Sequence, residues 1–334
     1  MGIHASRAGL MLGVVGALCA SQARAADVRT TQSLLESGVF LSQAEAEAAL
    51  ARLDADRSAA KKPVPNALTY WEQGGAGYGQ AERRGRAGYG GDASQFRIGA
   101  DREVRTGLVL GAVAGAGFGN VNSGELGART FSRHVDVYFK SNAGPLFAKG
   151  LIGASQFDFN ALSMGADDAR CHGDAASYDL RTAGQVGGAF DLGAIKITPT
   201  ATLALHRAAL PSFDVKGDNG GLSFAARRTT AAIGTFRLAG SRSFRIDATH
   251  KVNVEAFVGA DEIVGYDATR LRAVVDGARV KAAAMGSPTG RGLVGGLGVG
   301  TALAEGVKLD VHYDYSERDG VATRGGRARL GVAF

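Results

Sequence analysis

The chain has 334 residues, 50 of them glycine and six proline, and a formal charge of +6. The glycine share is about double the usual one, without the three-residue period of collagen or the Pro and Ser bias of a disordered linker. Its basic residues interleave with acids on one parity of alternating segments, which leaves no continuous cationic face for nucleic acid.

In chain order, residues 1–25 read as a secretory signal peptide. Arg7 supplies the positive start, 10–20 is a short apolar run, and Ala23 and Ala25 are the small residues of the cleavage site. Cys19 follows Leu18, where lipidation requires a smaller residue, and reads as apolar filler. Cleavage leaves Cys171 as the single cysteine, so no disulfide framework is expected. The short segment 26–67 comes next. Ser42 and Glu45 form a capping-box pattern that predicts a helix over 43–57, with Ala46, Ala49, Leu50 and Leu53 on one side. That helix would span about 22 Å, close to the ~25 Å apolar band of an outer-membrane barrel. The two prolines in 61–66 end it.

From Leu68 onward, alternation and turn signals predict twelve strands: 69–79, 92–102, 106–120, 130–141, 145–159, 175–190, 194–208, 221–238, 243–264, 289–303, 307–318 and 323–334. Short turns near Glu103 and at 142–144, 191–193, 240–242 and 304–306 alternate with longer loops at 80–91, 121–129, 160–174, 209–220 and 265–288. Within the last loop, 271–281 has the character of a strand extension. After the signal peptide no stretch approaches the ~20 apolar residues of a membrane helix. A membrane span must then be a closed β-barrel, the other structure that satisfies its backbone in lipid. The expected fold is all-β: a transmembrane antiparallel barrel of about twelve strands over 68–334, with a short helix in or near the lumen. Short turns face the periplasm, which puts both ends of the barrel on that side.

Strand parity assigns the faces. Val307, Leu309, Val311, Tyr313 and Tyr315 oppose Lys308, Asp310, His312, Asp314 and Ser316; Ala328, Leu330, Val332 and Phe334 oppose Arg327, Arg329, Gly331 and Ala333. The predicted lumen-facing residues are Arg97, Asp101, Asp136, Lys140, Lys196, Arg227, Glu255, Asp310, His312, Asp314, Arg327 and Arg329. Gly111, Gly115, Gly117 and Gly119, and again Gly296, Gly298 and Gly300, share the inward parity and predict close approach of another segment to the wall.

The order of these pieces resembles the autotransporter family of type V secretion proteins. It is carried by Tyr70-Trp71 opening the first strand, QFRIGAD at 95–101, HVDVY at 134–138, ITPTATLAL at 197–205, and GLGVG, VHYDY and RARLGVAF in the tail. The resemblance implies an outer-membrane barrel of a Gram-negative bacterium with a helix in its lumen, translocating or anchoring an N-terminal segment at the cell surface. Leu330, Val332 and Phe334 map onto the family's assembly signal. This implies barrel-assembly machinery and periplasmic chaperones as partners, beside outer-membrane lipid and lipopolysaccharide. The departure is the passenger: residues 26–42 alone precede the expected helix. A monomer is expected. The alternative is a pore or adhesin barrel with the helix outside.

No catalytic, cofactor or metal site is expected. His312 with Asp310 and Asp314 on one strand face, and Asp167-Asp168 with Cys171-His172 in a predicted surface loop, are the residues an enzyme would use. Polar lumen strands carry such residues routinely, and Cys171-His172 has no ligand at zinc spacing. Asn66 reads as a turn residue. Arg83, Arg84 and Arg86 read as solvated or in contact with lipopolysaccharide.

Overall fold

The computed structural model describes residues 31–53, 68–83, 86–124, 126–165, 171–217, 220–246, 251–275, 277–282, 290–304, 306–318 and 321–333. Among them one helix, α1 (Gln32–Arg52), precedes seventeen strand segments. They are β1 (Leu68–Arg83), β2 (Arg86–Arg105), β3 (Leu108–Ser123), β4 (Leu126–Ala143), β5 (Leu146–Met164), β6 (Cys171–Gly188), β7 (Phe190–Leu192), β8 (Ile195–Leu210), β9 (Phe213–Gly217), β10 (Gly220–Phe224), β11 (Arg227–Arg245), β12 (Lys251–Ala268), β13 (Leu271–Val275), β14 (Ala278–Ala282), β15 (Gly290–Ala304), β16 (Val307–Arg318) and β17 (Val321–Ala333).

Twelve of them, β1 to β6, β8, β11, β12 and β15 to β17, each pair antiparallel with the next. β17 then returns to β1, from Trp71↔Ala333 to Arg83↔Val321, so the barrel closes without an edge. The pleat sorts the side chains. Phe96, Ile98, Val135, Val137, Ile152, Leu203 and Leu297 point outward and are exposed, while Arg97, His134, Asp136, Ser155 and Arg181 point inward and are buried. An apolar exterior around a polar interior is stable only in hydrocarbon. The short hairpins gather at one end; Gly144 and Gly193 turn two of them at φ 62° and 65°, left-handed backbone that glycine takes without strain.

Several boundaries differ from those read in the sequence. Where alternation fades, at Gln80, Val121 and Asn160, the strands nevertheless run on to Arg83, Ser123 and Met164. Above the membrane neither face must be apolar, so pairing persists after the sequence signal has gone. The turn expected at 240–242 lies instead inside β11, with Gly240 paired to Ile197 on one side and Ala256 on the other. Sheet pairing on both flanks overrides the local Gly-Ser signal, and the connection falls after Arg245. The helix, expected at 43–57, runs from Gln32 to Arg52, and Ser42 and Glu45 are interior positions rather than its cap.

Of the remaining segments, β7 completes the short hairpin into β8, and the other four extend the barrel at its long-connection end. The β9–β10 hairpin continues β8 and β11, and the β13–β14 hairpin rises from β12. β9 pairs with β6 and β10 with β13, forming a flap. Three neighbouring strands break in line before entering it, at 211–212, 225–226 and 269–270. The flap bends over the lumen. Its underside, Phe213, Val215, Phe224 and Ala273, joins Leu34, Leu35 and Val39 of α1 and Phe157, Phe159 and Leu162 of β5 in one apolar core. A second core at the other end packs Ala46, Ala49, Leu50 and Leu53 against Trp71, Val113, Tyr138 and Leu151.

Candidate functional site: the helix–lumen interface

α1 has no amphipathic stripe because it is covered along its length rather than on one face. Leu34, Ser42, Glu45 and Ala49 are each at most 3% exposed. It packs chiefly on β3 to β6 and β8. At Gly38 the wall comes close: a Cβ there would stand 3.1 Å from Ser177 Oγ and 3.6 Å from Phe157 Cδ2.

Between the two apolar cores lies a polar ring centred on Arg181. Its Nε and Nη2 donate to the two carboxylate oxygens of Asp136 at 2.9 and 2.8 Å, a bidentate pair between β6 and β4. Its Nη1 donates to Ser42 Oγ at 2.8 Å and Glu45 Oε2 at 3.0 Å, both on the helix. Ser155 Oγ adds a bond to Glu45 Oε2 at 2.7 Å, and His134 Nδ1 stands 3.3 Å from Glu45 Oε1. On the adjoining wall Ser42 Oγ also donates to Asp179. The His206 ring bridges Asp179 Oδ2 and Gln43 Oε1, each 2.9 Å away. The Arg181 and Glu45 side chains are 0% exposed. Charges so buried require bidentate geometry and full hydrogen bonding to offset lost hydration.

Two residues beyond Glu45, on the opposite face of the helix, Glu47 faces Arg237 at 3.3 Å and Arg327 at 3.9 Å, and Arg327 pairs with Asp314 at 3.0 Å. The last carbonyls of α1 receive cations: Lys140 Nζ donates to Leu53 O at 2.6 Å and Lys149 Nζ to Leu50 O at 3.3 Å. Positive charge at a helix C-terminus complements its dipole. At the opposite end Arg227 Nη2 donates to Thr31 O at 3.2 Å. The N-terminal end of α1 therefore lies under the flap and its C-terminal end near the short turns.

Of the residues singled out from sequence, Asp136, Lys140, Arg227, Asp314 and Arg327 belong to these contacts. Arg97 is buried and donates to Gln73 at 3.3 Å and to Gln95; Asp101 is buried and accepts from Tyr138 OH at 3.4 Å. Asp310, His312, Asp314, Arg327 and Arg329 share one half-buried face of β16 and β17, with Asp310 opposite Arg329 and His312 opposite Arg327. Glu255 is half-buried on β12, and Lys196 is exposed at the short-turn end of β8. Leu330 points outward and Val332 is half-buried. Phe334, Ala23, Ala25, Asn66, Arg84, Asp167 and Asp168 lie outside the described residues. Cys171 packs at the rim of the flap core and His172 is exposed, neither near His312's face.

Sequence reasoning missed Arg181, Asp179 and Lys149. A signal was there: Asp179 and Arg181 share a parity against Tyr178 and Leu180, the code used for other strands. The inward glycines do admit close approach, but of a neighbouring strand's side chain. A Cβ at Gly111 would meet the ring of Tyr138, and one at Gly298 the ring of His312. These are the residues directly opposite in register.

The family model described as the Autotransporter beta-domain matches residues 70–314. The translocator domain of the autotransporter NalP from Neisseria meningitidis has a similar fold, with a TM-score of 0.67 at 16% identity, covering 90% of this chain and 99% of that one. The beta domain of the Bordetella autotransporter BrkA gives a TM-score of 0.59 at 18% identity, over 80% and 100%. No curated protein sequence matches the chain. With the family model spanning most of a closed twelve-stranded barrel, the chain belongs to the autotransporter β-domain family and is an outer-membrane translocator barrel.

Proposed function

We infer that this barrel passes an N-terminal segment through its lumen to the cell surface and then retains α1 as a plug. The carrying observation is the direction of α1: its first residues lie in the apolar core under the flap, its last carbonyls on Lys140 and Lys149 near the short turns. Taking the short turns as periplasmic, the chain enters from the periplasm and anything preceding Gln32 leads outward. An epitope inserted after Asp27 and another at Asp168 test this in intact Gram-negative cells. Both are expected to bind antibody; a silent Asp27 tag beside a reactive Asp168 tag would place the N-terminus in the periplasm and defeat the reading.

Several finer statements belong to the same proposal. Residues 1–25 direct export and are removed after Ala25; mass measurement of the mature protein checks this. Leu330, Val332 and Phe334 present the barrel to the assembly machinery, delivered by periplasmic chaperones, so Phe334→Ala is expected to lower the folded yield. The barrel works as a monomer among lipopolysaccharide and other outer-membrane lipids. It has no catalytic activity of its own: His312 faces strand-paired arginines, and His312→Ala and His172→Ala are expected to leave protease and phospholipase assays at background. The open-pore alternative is disfavoured by α1 occupying the lumen.

A further inference from the structure

An open groove of about 570 Å³ lies on the outward face of the barrel, at the short-turn end of β4, β5, β6, β8 and β11. That is within the ~300–1,000 Å³ of ligand pockets, and translocation makes no use of it. Its centre is a row of residues paired across five strands: Ser141, Ala148, Val186, Ala201 and Phe236. Ala148 and Ala201 are too short to reach the level of Val186 and Phe236, which are 58% and 54% exposed. In the next row toward the rim Leu146 stands opposite Gly188, and the Phe190 ring covers that glycine, so the groove is closed there. This closed end has a structural cause. β6 ends at Gly188 and β7 starts at Phe190, and between them the Ala189 N–H leaves the ladder to donate to Pro145 O at 2.8 Å. The sheet thus breaks where its side chains are smallest.

Position determines the class of ligand. The groove shares its parity with the outward Phe139, Ile152 and Leu203, so hydrocarbon surrounds it and an extended alkyl chain fills it. Toward the rim on the same face of β11 lies Arg242, its guanidinium 5.0 Å from the centre of the Phe244 ring. β8 makes its last pairing with β11 at Lys196↔Ser241. Arg242 lies beyond that ladder, still paired with Val254 of β12 and three residues before β11 ends at Arg245; lipid headgroups lie at the level of such strand ends, and arginine binds their phosphates well. We propose that this groove holds one acyl chain of a periplasmic-leaflet phospholipid, with its phosphate on Arg242.

Native mass spectrometry of the full chain, released from micelles containing phosphatidylglycerol and lipid A in equal amounts, tests the assignment. The wild type is expected to retain a single phosphatidylglycerol. Ala148→Phe with Ala201→Phe fills the groove and is expected to reduce retention at least tenfold; Ala256→Phe, an equally bulky change on the outward face of β12, is expected to leave it unchanged. Arg242→Gln, at an exposed position that does not endanger folding, is expected to lower retention several-fold. Equal retention in the filled and control variants, no retained lipid in the wild type, or selective retention of lipid A would each overturn the proposal.

Discussion

Arg181 illustrates how a buried charge holds this assembly. It reaches Asp136 on one strand, and Ser42 and Glu45 on the helix, so one guanidinium connects wall to plug. Removing it deprives two carboxylates of their hydrogen-bonded guanidinium in a dry environment, a change that costs ~3–5 kcal/mol. Arg181→Ala is therefore expected to lower the urea midpoint of the refolded barrel and to release α1. Combining Arg181→Met with Glu45→Gln and Asp136→Asn removes the charges together and is expected to recover most of that loss, since apolar replacement of a buried ionic cluster is often near neutral. If the triple variant were no more stable than Arg181→Ala, the cost would lie in shape rather than in charge. The parity of Tyr178 to Arg181 made this residue's inward orientation legible. Its partners were not, because the sequence of β6 carries no information about which helical turn will stand opposite.

At the scale of elements, the flap has the clearest mechanical design. Its three strand breaks lie side by side, bridged by Ala225 N–H to Arg272 O and Thr269 N–H to Arg228 O, each at 3.0 Å. Beneath it the stacked rings of Phe213 and Phe224, 4.6 Å apart, cover the first turns of α1. Replacing 213–224 by a short turn is expected to keep the barrel, judged by its heat-modifiable mobility, while exposing Leu34 and Leu35 to added protease. Unchanged protection would mean that β5 and β6 alone seal the outer end. Sequence alternation located the barrel strands because lipid and lumen impose opposite chemistry on neighbouring residues. It found the flap only in part, at 271–281 and at the start of the strand from 221, and missed β9 and the breaks, because flap strands answer to an apolar core on one side and water on the other. There the same Phe and Val pattern is compatible with a loop. Likewise Ser42 and Glu45 have the spacing of a cap, and only the wall behind them shows that they serve as wall contacts in mid-helix.

The whole molecule is a barrel filled off-centre. On the β4 to β8 side α1 is in contact with the wall and Arg181 and Glu45 are 0% exposed. On the side of β16 and β17 the inward Asp310 and Asp314 keep 28% and 31% of their surface, and Lys308 45%. Inward glycines at Gly75, Gly77 and Gly331 leave that wall low, so water reaches the charges that α1 does not cover. An eccentric plug has a measurable signature. In a background with Cys171→Ser, Asp314→Cys is expected to react with a small hydrophilic thiol reagent in the intact barrel, whereas Ser155→Cys is expected to stay unreactive. Deleting residues 27–62 should make both react and raise planar-bilayer conductance well above the low level of the intact protein. If Ser155→Cys reacted as fast as Asp314→Cys before the deletion, α1 would be leaving the β5 wall on the timescale of the labelling. The polar ring would then be a resting place of the helix and not its anchor.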